Sequence, residues 1–245
     1  MKRRTVLVTG GGRGLGRAIS TAFGTCGDRV AVFYRADEAS ALAVRQEIEE
    51  AGGEGAVFQA DVRDPKAVDA GLVEAVSRFG PLDVCVANAG ITRDALLVQT
   101  TEETWDEVVG TNLTGVFNVL RSAGRMMAES GSVFVVGSIV GLFGRRGQCA
   151  YSASKAALVA LVQTAAREWA VRGIRVNLVL PGYLPGTGVP ADIMPAARAE
   201  VEASHLLPVF SSPEAVASFI VDLSRSCPGV TGQIFNLDSR IRGVW

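Results

Sequence analysis

Histidine is almost missing from this 245-residue chain: His205 stands alone. A Ser-His-Asp triad or a histidine-bearing zinc site has too little to work with. Cysteine is sparse as well, and Cys26, Cys85, Cys149 and Cys227 are scattered so that no two stand at metal-ligand spacing. Neither sign of charge prevails, since 24 basic side chains meet 25 acidic ones for a net charge of −1. No basic excess is available to neutralise a phosphate backbone, which argues against nucleic acid as a partner. No apolar run approaches the length of a membrane span. The basic start, Met1-Lys2-Arg3-Arg4, is followed only by Thr5 to Val8 before glycines intervene, too short for the core of a secretory leader. Proline-rich linkers, charge blocks and internal repeats are lacking, so residues 1–245 read as one domain. Hydrophobic residues nonetheless make up 48% and charged residues 20%, the composition of a folded protein. The expectation is a soluble, reduced, cytoplasmic protein.

What is present is a rhythm. Short β-branched runs at Thr5–Thr9, Arg29–Tyr34, Glu54–Ala60, Leu82–Asn88, Ser132–Ser138, Ile174–Leu180 and Gln233–Leu237 read as strands. Alanine-rich segments around 15–26, 38–51, 65–79, 101–129, 152–171 and 213–225 read as helices. Several strands are apolar at every position, as a parallel sheet covered on both faces requires. Asp64-Pro65 opens one helix and Gly52-Gly53 closes another. The prediction is an α/β fold: a single doubly wound Rossmann domain, with seven parallel strands and helices on both faces. Such sheets bind ligands beyond the carboxyl ends of their strands. The aromatics Trp105, Phe117, Phe134 and Phe143 are expected in the core, and His205 on a lid or at the surface.

The first strand runs into Gly10-Gly11-Gly12-Arg13-Gly14-Leu15-Gly16. Strand, glycine turn and helix start in that order form a diphosphate cradle, because backbone N–H groups and the helix dipole face the anion. Glycines alone also suit a plain tight turn, and the strict GxGxxG spacing is not met. The second strand ends at Arg35, near where a ribose would lie. With Arg13 in the loop, two guanidinium groups favour a 2′-phosphate and hence NADP(H); Asp37, binding a free 2′-hydroxyl, is the competing choice. Farther on, Tyr151 and Lys155 stand four apart on a predicted helix, on one face. A nearby ammonium and an oxidised nicotinamide ring would lower the pKa of a phenol, making it a useful acid or base. Ser138, thirteen residues earlier at a strand end, could donate to a substrate oxygen. Asn112 interrupts a helical segment in which asparagine is a poor helix former.

These motifs resemble those of the short-chain dehydrogenase/reductase family over nearly the whole chain. The resemblance implies a catalytic tetrad of Asn112, Ser138, Tyr151 and Lys155, with Asn112 holding a water that relays protons from Lys155. It implies that Gly10, Gly12, Arg13, Gly14, Leu15, Gly16, Arg35, Asp61, Val62, Asn88 and Gly90 bind the cofactor, with Tyr151, Lys155, Pro181, Gly182 and Leu184 at the nicotinamide. Thr187 falls one position later than the family's threonine. The segment Gly90-Ile91-Thr92-Arg93-Asp94-Ala95-Leu96-Leu97 is similar to that of the 3-oxoacyl-[acyl-carrier-protein] reductase branch, which implies NADPH-dependent reduction of an acyl thioester, on a carrier protein or on CoA. Glu129 stands where that branch carries basic residues, while Arg172 keeps a position used for docking the carrier and Arg145-Arg146 lie near the site mouth. Asp238-Ser239-Arg240 replaces the usual Asp-Gly-Gly, and a substrate lid is placed within 183–211. A ketone reductase or alcohol dehydrogenase of the same family and, less in keeping with an intact tetrad, a non-catalytic cofactor-binding scaffold are the alternatives. The resemblance also implies a homotetramer, using helices 101–129 and 149–172 on one axis and the carboxyl-terminal strand with the Ile241–Trp245 tail on another.

Overall fold

Val6, Leu7 and Val8 have no exposed surface on either side, so their strand must be covered twice. The computed structural model describes residues 3–187 and 195–240. In chain order it shows β1 (Thr5–Thr9), α1 (Gly14–Thr25), β2 (Arg29–Tyr34), α2 (Glu38–Glu50), β3 (Glu54–Gln59), α3 (Pro65–Phe79) and β4 (Leu82–Ala87). Next come α4 (Glu102–Val109), a π turn (Gly110–Thr114), α5 (Gly115–Met126), β5 (Met127–Val136) and a short α6 (Val140–Phe143). The chain continues through α7 (Cys149–Trp169), β6 (Arg175–Leu180), α8 (Pro195–Ala203), α9 (Pro213–Ser226) and β7 (Ile234–Asn236). All strands pair in parallel, in the order β3-β2-β1-β4-β5-β6-β7. The order reverses between β1 and β4, which opens a crevice at their carboxyl ends.

Side-chain alternation sends the strands to two cores. Leu7 and Ala31 meet Leu72 of α3, Leu120 of α5 and Leu158 of α7. Val6 and Val8 meet Phe23 of α1, Ile48 of α2 and Ile220 of α9 on the opposite face. Each such buried side chain contributes roughly 1.5–3 kcal/mol. The starts and stops follow local chemistry: Asp64 accepts from Lys66 N (2.9 Å) ahead of Pro65, and Gly52 leaves α2 at φ 92°.

The long helix expected over 101–129 is divided and ends early. Thr111 Oγ1 donates to Glu107 O (2.8 Å), and the following residues widen into the π turn that carries Asn112. Backbone turns extended at Met127, which pairs with Leu82, and Arg172 satisfies the last carbonyls by donating to Gly124 O (2.5 Å) and Met127 O (2.7 Å). Ser130, at φ 62°, marks the irregular register that follows. The helix expected from 152 begins at Cys149. Phe134 is in the core, but Trp105, Phe117 and Phe143 are not: they are 40%, 44% and 44% exposed among the described residues. Trp245 and its neighbours lie outside the described residues, as does part of the lid.

Candidate active site

The carboxyl ends of β1 and β4 are tied together by one hydroxyl. Thr9 Oγ1, buried, accepts from Asn88 N (3.0 Å) and Ala89 N (3.1 Å), while Asn88 Nδ2 donates to Thr9 O (3.0 Å) and Gly10 O (3.3 Å). Asn88 is thus brought against the glycine turn as expected, whereas Thr9 was not singled out in the sequence. Gly10 and Gly14 take φ 62° and 51°, which side chains disfavour. A Cβ at Gly16 would stand 2.1 Å from Gly10 O, so the turn closes only with glycine there. Gly12 lies against Ala41 of α2, and Leu15 packs on the core. The first turn of α1 has no acidic residue and no side-chain cap, so its N–H groups face outward for an anion.

Arg13 and Arg35 are exposed at the adjoining rim. Asp37 is committed elsewhere: it caps α2, accepting from Ser40 N (3.0 Å) and Ser40 Oγ (2.6 Å). Asp61 is gripped by Arg63 (2.6 Å), which holds its carboxyl below the ordinary range. Val62 is buried and its carbonyl accepts from Asn118 (3.0 Å).

Across the crevice, Ser138 follows β5 and Tyr151 stands in the first turn of α7, with the Ser138 hydroxyl near enough to favour the ionised phenol. Lys155 Nζ lies 5.8 Å from the Tyr151 ring centre and donates to Val136 O (2.7 Å). The structure therefore brings Ser138, Tyr151 and Lys155 together. Burial holds the Tyr151 phenol above its ordinary value, with Asp94 adding to the effect and Ser138 opposing it. Lys155 is itself lowered by burial, to about 8, and donates to a backbone carbonyl; the expected lowering of the phenol calls for an oxidised nicotinamide ring beside it as well.

Asn112 is fully buried and does not touch Lys155 directly. Its amide accepts from Ile91 N (2.8 Å) and donates to Ile91 O (2.8 Å) and Ser154 Oγ (3.2 Å), clamping the loop after β4 to α7. A Cβ at Gly90 would meet Asn112 Oδ1 at 3.2 Å and Lys155 Nζ at 3.6 Å, so Gly90 lines the same corner.

Pro181 is buried; Gly182, at φ 83°, packs against Asp238, which accepts from Tyr183 N (3.1 Å). Leu184 packs on the core, and Thr187 Oγ1 is turned back onto Leu184 O (3.1 Å). His205 is not at the surface. Its side chain is 3% exposed, between Val201 O (2.7 Å) and Asp238 Oδ1 (3.2 Å), with Tyr183 and Phe210 around the ring. Arg240 closes on the same carboxylate, so the atypical Asp238-Ser239-Arg240 belongs to one packed cluster with the lid. Arg172, besides its two carbonyls, pairs with Glu129 (3.0 Å), so the docking position that is kept and the one that departs meet in one ion pair.

Sheet order, glycine turn and the Ser-Tyr-Lys cluster are those of a Rossmann-fold oxidoreductase. Residues 4–196 match the profile of the family described as short chain dehydrogenase, and the chain belongs to that family. It is similar to the 3-oxoacyl-[acyl-carrier-protein] reductase FabG of Staphylococcus aureus, 45% identical over 74% of each chain. It is also similar to the 3-oxoacyl-[acyl-carrier-protein] reductase of a Synechocystis species, 37% identical over 96% of this chain and 95% of the relative. Among solved structures, a short chain dehydrogenase from Burkholderia cenocepacia in complex with NADP superposes with a TM-score of 0.90, at 32% identity over 97% of this chain and 96% of that one.

Proposed function

We propose that the protein reduces the 3-oxo group of an acyl thioester to the hydroxyl, with NADPH as reductant. The observation that carries this reading is Tyr151 in the first turn of α7 beside buried Lys155, whose Nζ lies 5.8 Å from the phenol ring centre, with Ser138 just past the end of β5, in a chain similar to 3-oxoacyl-[acyl-carrier-protein] reductases along most of its length. The residues fit a dinucleotide: the uncapped start of α1 and the glycine turn at Gly10, Gly12, Gly14, Leu15 and Gly16 suit a diphosphate. Arg13 and Arg35 suit a 2′-phosphate, and Asp37, already capping α2, is a poor acceptor for a ribose hydroxyl. Asp61, Val62, Asn88 and Gly90 would line the adenosine and ribose, with Pro181, Gly182 and Leu184 at the nicotinamide. When bound, the cofactor supplies the hydride.

The chain's own groups do the rest. Ser138 orients the substrate carbonyl oxygen. Tyr151, kept protonated near neutrality by burial, gives its proton to the oxygen as negative charge develops there. Lys155 stabilises the phenolate left behind, and Asn112 holds the loop and helix that keep these groups in register.

Steady-state kinetics with acetoacetyl-CoA, a carrier-protein thioester and simple ketones test the substrate class. Tyr151→Phe should bind NADPH normally yet lose turnover by about 10²-fold or more, the usual weight of a lost general acid. Near-native turnover would remove Tyr151 from the role. The Glu129–Arg172 pair favours one second reading, in which CoA thioesters or free ketones are preferred over a carrier protein, because the docking cation is neutralised. We infer a cytoplasmic homotetramer, supported by the exposed apolar side chains of Trp105 and Phe117 on neighbouring helices.

A further inference from the structure

The register of the last two strands delivers a carboxylate to the loop beyond β6. Leu180 pairs with Asn236, and Leu237 N donates to Leu180 O (3.0 Å). Asp238, two residues past Asn236, therefore arrives beside Gly182, two residues past Leu180. Its side chain has no exposed surface there. Tyr183 N donates to Oδ2 (3.1 Å), and a Cβ on Gly182 would stand 2.8 Å from the same oxygen. Arg240 donates to the carboxylate from its backbone N (2.8 Å) and from Nε (2.9 Å). From the lid, His205 Nε2 faces Oδ1 at 3.2 Å while Nδ1 faces Val201 O at 2.7 Å, so the ring bridges α8 and the carboxylate. Tyr183 and Phe210 pack around that ring.

A carboxylate out of water persists only where its partners offset the lost hydration. Burial alone would push the Asp238 carboxyl up, but the bonds from Arg240 and the nearby His205 outweigh it and hold the group below the ordinary range. Three segments meet on this one side chain. Ser211 Oγ to Leu237 O (2.6 Å) and Leu207 N to Ser239 Oγ (3.3 Å) bind the lid to the residues after β7, and Tyr183 N to Asp238 joins the loop after β6 to both. Resting on the reading of Pro181, Gly182 and Leu184 as the nicotinamide end of an NADPH site, we propose that Asp238 is a positioning residue for that end. It fixes the Gly182-Tyr183 turn beside which the ring would lie, and Arg240 and His205 hold the carboxylate in place. Arg240, which stands where the usual pattern has glycine, then acts on the cofactor only through Asp238.

The test compares two ligands by titration of the full chain: NADPH, and adenosine 2′,5′-bisphosphate, which keeps the 2′-phosphate but has no nicotinamide. Arg240→Met removes the guanidinium. His205→Phe keeps a ring between Tyr183 and Phe210 while removing the bond to Asp238. Each should raise the Kd of NADPH about threefold or more and leave that of the bisphosphate within about twofold of wild type, because a loop no longer held in its binding conformation must be ordered at the ligand's expense. Asp238→Asn should widen the split, and the other two variants carry the test should it not fold. A general loss of structure would weaken both ligands alike. An NADPH affinity unchanged in the folded variants, or one that falls in step with the bisphosphate, overturns the proposal. A wild-type chain that does not bind NADPH would bring down the cofactor reading and this role with it, whereas wild type binding both ligands, with no split in the variants, removes only the role of Asp238.

Discussion

Lys155 shows what a working residue costs the fold. Burial lowers it from 10.5 to about 8, so at neutral pH an ammonium sits where the fold prefers a neutral group. The unfolded chain then binds the extra proton between about pH 8 and 10.5, and stability climbs with pH across that window. Lys155→Met should therefore gain about 1–3 kcal/mol at pH 7, flatten that climb in denaturant melts, and abolish turnover. The proposed 2′-phosphate contact of Arg35 has a direct test: Arg35→Asp should raise KM for NADPH and lower it for NADH, as a carboxylate repels a 2′-phosphate and accepts from a hydroxyl. An unchanged ratio would transfer the role to Arg13. Ser138, Tyr151 and Lys155 were legible in the sequence because their spacing along the chain is itself the signal. Thr9 was not, since it matters only through a partner 79 residues away. His205 lies in the lid, one of the two places expected, but its burial there was not legible because it depends on Asp238, which comes 33 residues farther on.

Elements were readable where one rule governed them. Strands apolar on both faces announced the sheet, and Asp64-Pro65 announced α3. The segment 101–129 failed because three local events outweigh its helical pattern: the Thr111 back-bond, the π turn and the carbonyls taken by Arg172. The π turn has its own consequence. Asn112 satisfies both backbone groups of Ile91, so Asn112→Ala leaves a part-buried N–H and C=O without these partners. The expected loss is about 2–4 kcal/mol in urea melts, with hydrogen exchange rising in residues 90–95 before the sheet is affected. A native-like melt would show that the loop is held without Asn112.

For the whole molecule, the exposed apolar surface sets the expectation. Leu97, Val98, Trp105 and Phe117 are 73%, 91%, 40% and 44% exposed on α4, α5 and the turn before them, apolar side chains that a partner subunit would cover in the proposed assembly. Light scattering at micromolar concentration should give four times the chain mass, and Trp105→Glu with Phe117→Glu should reduce it to a smaller species. A wild-type monomer would end the assembly inference, and a dimer would confine it to this face.

The strand order also governs how the chain can be made. β1 precedes every other strand of the sheet in the chain, yet it lies inside the sheet, between β2 and β4. Before Leu82–Ala87 emerges from the ribosome, β1, β2 and β3 can pair, but the far edge of β1 has nothing to bond. For that interval an apolar strand edge, Val6 to Val8, is open to any neighbouring chain. Closure of that edge also completes the Thr9–Asn88 bonds. The step that protects the nascent chain from aggregation is thus the one that first shapes its cofactor crevice.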